Sequence, residues 1–452
     1  MGQVDLKQEL TLMLEKEVGF TGKFILERQC QALNKDIENI SYVDLEPLAN
    51  NVKQAIKHYT GEKRAEEIRK GMLEYQMAMD VVEKASATNF ENLKNFAFLH
   101  LVEADITIAR KKLDLGLNSE CIDALKKARD LLENTDRSEA NALESRISRL
   151  MGRALSTSSE TFDRAVIEFQ RAISSGTVSD DHYNVALSWR GIGSLSWRIG
   201  RYSDSLEHYN KGLAALESMP DSSKEERNRK MLAQGLIKSG IGRTYMDLLE
   251  YEKAIEYDQE AIDIFEALDN FAEAGRAYSN LGLVYEKVGN CPMAVGGYQQ
   301  AISFCVNSGS LLNQGWAMVN LANLLIDCGR AEEARPHLEK AEQILGNFSD
   351  PLAYSKLNCT WGKYHREKGQ WSDGIQRFQR SIDVVKNAKA PDYLANAKEG
   401  LGFLYLKKGD GKNATENFQQ ALEWFNEKND LEHVYKLRDL VDRSSGFTSG
   451  LL

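Results

Sequence analysis

Apolar and small residues recur along this chain at helical spacing, and the blocks they form recur in turn. In AYSNLGLVYEKVGNCPMAVGGYQQAI, residues 277–302, Leu281-Gly282 are followed by Tyr285, then Gly289, then Ala294, Tyr298 and Ala301. Positions three and four apart share one face of a helix. The block therefore predicts two helices, each with one apolar face, broken at Gly289. Small residues are expected where the two backbones cross closely, because a bulky side chain there would force them apart.

Five further segments keep this order: Ile192-Gly193 with Gly200, Ser205, Tyr209 and Gly212; Ile241-Gly242 with Leu249, Ala254 and Ala261; Leu321-Ala322 with Gly329, Ala334, Leu338 and Ala341; Trp361-Gly362 with Gly369, Gly374, Phe378 and Ser381; Leu401-Gly402 with Gly409, Ala414, Phe418 and Ala421. From Gly242 the equivalent small positions step by 40 residues through Gly282, Ala322, Gly362 and Gly402. The step from Gly193 to Gly242 is 49 residues and holds an insertion around ESMPDSSKEERNRK. Two weaker copies precede these, through Met151-Gly152, Ala165, Phe169 and Ala172, and through Ile108-Ala109, Gly116, Cys121, Leu125 and Ala128. A fixed period of this length is the signature of stacked hairpins, none of which buries its apolar face alone. The glycines in RIGR, KVGN, DCGR, EKGQ and KKGD are expected to end the first helix of each pair.

Bulk properties narrow the picture. The chain has 452 residues, 42% hydrophobic and 27% charged, with 6 prolines, which suits a folded helical array larger than one ordinary core. The net charge of -10 supplies no field for gathering phosphates, so nucleic acid is not expected as a partner. No apolar run reaches membrane-spanning length, and the early charge in MGQVDLKQEL is not what a secretory leader is expected to carry. The cysteines form no CxxC pair and read as reduced and mostly buried, so a cytoplasmic location is expected.

The order Leu-Gly, Tyr, Gly, Ala, aromatic, Ala resembles that of tetratricopeptide repeat (TPR) proteins over roughly residues 90 to 430. The long period resembles the LGN/Pins, kinesin light chain and Rap-type arrays. The resemblance implies an all-α right-handed TPR superhelical solenoid of about seven to eight helical hairpins with a small helical N-terminal domain. Residues 1–75 are expected to be that domain, a cap or an interaction module. Residues 76–430 are the superhelix, and 431–452 a capping helix end with a flexible tail.

The resemblance also implies a protein-protein interaction scaffold or adaptor that binds a partner segment along the concave face lined by the first helices. A peptide-responsive regulator, a self-associating protein dimerising through residues 1–75, and an RNA-binding helical repeat are the alternatives. Asn280 and Asn320 precede the small pair of their repeats, where members that clamp a carboxylate place paired asparagines. Arg276 lies a turn before Asn280, and Lys356 falls where such members carry lysine. The match stops at Thr360, which holds the place equivalent to Asn280 in the next repeat. Arg190, Arg243, Asn323 and Lys363 fall at spacings that could join a basic inner stripe suited to an acidic or extended segment. Trp197 and Trp316 are possible anchors. No HExxH, GxSxG or P-loop occurs, and no His-Cys cluster has metal spacing. Neither an enzyme nor a cofactor is expected.

Overall fold

The computed structural model describes residues 22–33, 45–60, 65–66, 68–70, 72–73, 91–114, 116–132, 137–348, 350–386, 390–427 and 430–449. Every regular element among them is helical. The chain forms two compact units, which divide between Asp221 and Ser222, inside the 49-residue step.

The first unit holds α1 (Gly22–Ala32), α2 (Leu45–Thr60), α3 (Glu91–Asp114), α4 (Asn118–Leu132), α5 (Arg137–Leu155), α6 (Phe162–Val178), α7 (His182–Arg198) and α8 (Tyr202–Glu217). Leu26, Cys30, Leu48 and Val52 are buried on α1 and α2. Residues 1–21 and 34–44 of the expected N-terminal domain lie outside the described residues. The hairpins α3/α4, α5/α6 and α7/α8 pack in sequence around Ile106, Leu125, Leu150 and Phe169. The two weak copies read from the sequence are thus helical hairpins like the rest.

The second unit holds α9 (Lys224–Asp247), α10 (Tyr251–Ala267), α11 (Phe271–Lys287), α12 (Cys291–Asn307), α13 (Leu311–Asp327), α14 (Ala331–Leu345), α15 (Pro351–Glu367), α16 (Trp371–Lys386), α17 (Pro391–Lys407), α18 (Gly411–Glu427) and α19 (Leu431–Ser449). It begins with a capping box: the Ser223 side chain accepts from the Glu226 N–H, and Glu226 accepts from the Ser223 N–H. These two bonds satisfy donors that a helix start leaves open. Successive helices pair as five hairpins, and α19 packs on α18.

One spacing explains the packing. From α7 onward, the glycine of a first helix faces the side chain that follows it by 16 positions on the second, while Gly152 of α5 faces Phe169, 17 positions on. A Cβ placed on Gly193, Gly282, Gly362 or Gly402 would lie 2.9, 2.9, 2.5 or 2.7 Å from the ring of Tyr209, Tyr298, Phe378 or Phe418 respectively. Tyr298, Phe378 and Phe418 are almost fully buried; each burial of this size contributes about 2–3 kcal/mol. Their rings touch backbone because glycine leaves room.

The turn between the two helices needs a left-handed residue. Gly200, Gly289, Gly329, Gly369 and Gly409 supply it, with φ between 70° and 83°. At the equivalent place in α9/α10 stands Leu249, with φ 62° and its side chain exposed. A non-glycine residue in this region costs about 1–2 kcal/mol, and no burial offsets it here. Leu249→Gly is expected to stabilise the second unit by about 1 kcal/mol, read as a higher urea midpoint for its unfolding.

Candidate functional site

The first helices of the second unit line a cleft of about 590 Å³. Asn323 and Asp327 reach it from α13; Lys356, Cys359, Thr360, Lys363 and Arg366 from α15. Tyr393, Asn396, Glu399 and Phe403 come from α17, and His433 and Lys436 from α19. Each set follows from the 40-residue period: Asn323, Lys363 and Phe403 share one register position, and Lys356, Asn396 and Lys436 another.

A polar ladder crosses the hairpins along this face. Asn280 Nδ2 donates to Ser239 Oγ at 3.3 Å, and Asn320 Nδ2 to Ser279 Oγ at 3.4 Å. Lys356 Nζ donates to Asn320 Oδ1 at 2.6 Å. Lys363 Nζ donates to Asn323 Oδ1 at 2.8 Å and pairs with Asp327 at 3.1 Å. Lys436 pairs with Glu399 at 2.7 Å. The side chains of Asn280, Asn320, Asn323, Lys356 and Lys363 are all half-buried.

Lys356 differs from the other two lysines. Among the described residues its hydrogen-bond acceptor is an amide, and no carboxylate forms an ion pair with it. Its chain lies over the Trp316 ring, with Nζ 5.9 Å from the centroid. Burial lowers its pKa, and the positive charges of Lys363 and Arg243 add to that, while Glu286 opposes it. Arg243, on α9, therefore acts on the same face as Lys356 on α15. It also acts on Tyr393, whose pKa is raised chiefly by burial and by Asp350, with Arg243 opposing. Burial pushes the Cys359 thiol up to about 11, so it remains a neutral lining group.

The residues singled out from the sequence are distributed as follows. Lys356 meets Asn320 and Lys363 meets Asn323 as two separate pairs, and Asn280 continues the ladder one hairpin earlier. Arg276 is exposed and paired with Glu273 on its own helix at 3.0 Å. Arg190 lies in the first unit, in a separate 320 Å³ cleft that it lines with Arg153 and Arg198. Trp316 is half-buried and donates to Asp350 at 3.3 Å. Sequence reasoning passed over Tyr393, Asn396, Glu399, His433 and Lys436. Continuing the 40-residue register of Lys356 once and twice reaches Asn396 and Lys436.

Among the described residues no three His, Cys, Asp or Glu side chains are grouped to hold a metal ion, and no helix is long and apolar enough to cross a membrane.

Comparison with known proteins identifies the repeat. Residues 234–305 and 315–344 each match a family described as tetratricopeptide repeat. The outer dynein arm-docking complex subunit 4 of Danio rerio is 19% identical over 177 residues, 39% of this chain and 36% of that protein. The Tonsoku-like protein of Drosophila melanogaster is 25% identical over 241 residues, 53% of this chain and 15% of that protein. The chain thus spans well under half the length of either relative. The solved apo form of RapI superimposes with a TM-score of 0.55 at 13% identity, covering 86% of this chain and 98% of that one; a likeness at this identity concerns the fold alone.

Proposed function

We propose that this tetratricopeptide-repeat protein is an interaction scaffold that holds an acidic, extended segment of a partner protein along the first-helix face of its second unit. Lys356 carries the reading. It is a half-buried ammonium whose acceptor is the Asn320 amide, and among the described residues no carboxylate forms an ion pair with it, although the Glu286 charge acts on it. A partner carboxylate arriving there forms a charge-assisted bond in a partly desolvated setting, where such bonds are about twice as strong as neutral ones. Asn280, Asn320 and Asn396 supply amides for a partner's backbone, and Phe403 and Trp316 supply apolar surface. The Danio rerio relative is by its name a docking-complex subunit, and holding a partner in place is the same kind of role.

The reading is tested by fluorescence anisotropy with short acidic peptides and their lysine-substituted counterparts. Acidic peptides are expected to bind, more weakly as salt rises. Lys356→Met is expected to weaken them at least tenfold, about 1.4 kcal/mol. The Asn280→Ala/Asn320→Ala pair is expected to lower affinity while the fold is retained, with a lower melting midpoint because three inter-hairpin hydrogen bonds are lost. Equal binding of the basic peptides, or undiminished affinity in Lys356→Met, removes the proposal.

A further inference from the structure

We propose that Cys291 and Cys328 form a site of reversible oxidative modification, closing to an intramolecular disulfide that staples two neighbouring hairpins of the second unit. The two sulfurs lie 2.7 Å apart, with the Cys328 thiol donating to Cys291 Sγ. Both side chains are half-buried, whereas Cys30, Cys121 and Cys305 are buried.

The repeat register brings the two thiols together. Cys291 is the first residue of α12, and Cys328 is the C-terminal cap of α13. The start of one hairpin's second helix lies beside the end of the next hairpin's first helix. One step later the same adjacency joins Glu332 near the start of α14 to Lys368 at the cap of α15. There the positions equivalent to the cysteines hold Ala331 and Lys368, and one step further Trp371 and Lys408. The repeat places no demand for sulfur at either position, yet here both carry it. A disulfide has a bond length of about 2.05 Å, so the approach still needed is a fraction of an ångström. That step is small enough for the hairpins to keep their packing.

The chemistry needs a two-electron oxidant, and hydrogen peroxide is the class proposed. The bond that Cys328 donates to Cys291, together with burial, pushes the Cys328 thiol up to about 11. Cys328 therefore holds its proton and Cys291 is the sulfur that reacts first. The Cys291 thiolate attacks a peroxide oxygen and the O–O bond breaks. Hydroxide leaves and takes up the proton the thiol had released, giving water and a sulfenic acid on Cys291. The Cys328 sulfur then attacks Cys291 Sγ, the S–O bond breaks, and a second water leaves with the Cys328 proton. Two thiols and one peroxide become one disulfide and two waters. The proposal is independent of what the cleft binds.

The test uses the full chain, reduced, exposed to hydrogen peroxide, blocked with N-ethylmaleimide and mapped by peptide mass. The expected result is a linked Cys291–Cys328 peptide as the main oxidised product and a loss of two hydrogens from the intact mass. A higher melting midpoint, reversed by dithiothreitol, is expected with it. In Cys291→Ser the link is lost and Cys328 is alkylated, while Cys359→Ser keeps the link. Preferential linkage through other cysteines, or Cys291 oxidised to sulfinic acid with Cys328 still alkylated, overturns the proposal. The wild-type measurement decides by itself if a variant fails to fold.

Discussion

Gly400→Val is expected to destabilise the second unit by about 3 kcal/mol or more, the upper end of what overpacking costs. Phe378 is almost fully buried and lies between the backbones of two first helices. A Cβ on Gly362 of its own hairpin would stand 2.5 Å from its ring, and one on Gly400 of the next hairpin 2.3 Å. The ring has backbone on both sides and cannot retreat, so a valine at Gly400 must push α17 away from α15 and α16. Each hairpin leans on its neighbour for its core, so the displacement is felt beyond one side chain. Urea unfolding followed by circular dichroism measures the loss. Adding Phe378→Leu to Gly400→Val should restore part of it, a coupling of about 1 kcal/mol or more in a double-mutant cycle. An unchanged midpoint for Gly400→Val would mean that this ring-against-glycine contact does not hold adjacent hairpins together.

Asp258→Leu is expected to act in the opposite sense, raising stability by about 1–3 kcal/mol. Asp258 occupies the position that holds Tyr298, Leu338, Phe378 and Phe418 in the hairpins that follow. It is fully buried, and neither carboxyl oxygen has a hydrogen-bond partner among the described residues. Burial raises its pKa well above the usual carboxylate range, and Arg243 only partly opposes this. A folded-state pKa above the unfolded value of about 3.9 means that the native protein holds the proton more tightly than the unfolded chain. The stability this contributes is complete below that unfolded value and is lost as pH rises through the raised native one. Urea midpoints should therefore fall from about pH 4 upward through the range where Asp258 ionises in the fold. Asp258→Asn should flatten that dependence, and Asp258→Leu should flatten it and raise the whole curve. A wild-type midpoint that does not fall over this range would show that Asp258 is not held in a buried, unsatisfied state.

The hairpins are legible in the sequence because their packing rule is local and repeats. Gly282 and Tyr298 need only a count of 16 residues, and the turn glycines punctuate the pattern. Asp258 is harder to see: in EYDQEA it resembles an ordinary polar helix position, and only the same count from Gly242 shows it facing the core. The lining of the cleft follows from register for Asn323, Lys356 and Lys363. Which carboxylate neutralises which lysine does not. Asp327 meeting Lys363 and Glu399 meeting Lys436 depend on the rotation between successive hairpins, a three-dimensional quantity that no spacing encodes. The Cys291–Cys328 pair escapes for the same reason, since 37 residues separate two positions that only stacking makes adjacent.

The amide ladder also has a direction. Lys356 donates a hydrogen bond to Asn320, whose amide donates one to Ser279, and Asn280 likewise donates one to Ser239. Every rung donates toward the earlier hairpin, and the Lys356 ammonium stands at the later end. A bound strand would meet an asymmetric surface, so threading it head-first or tail-first would not be equivalent. Reversing a ligand's sequence should then weaken binding even with its composition and net charge unchanged.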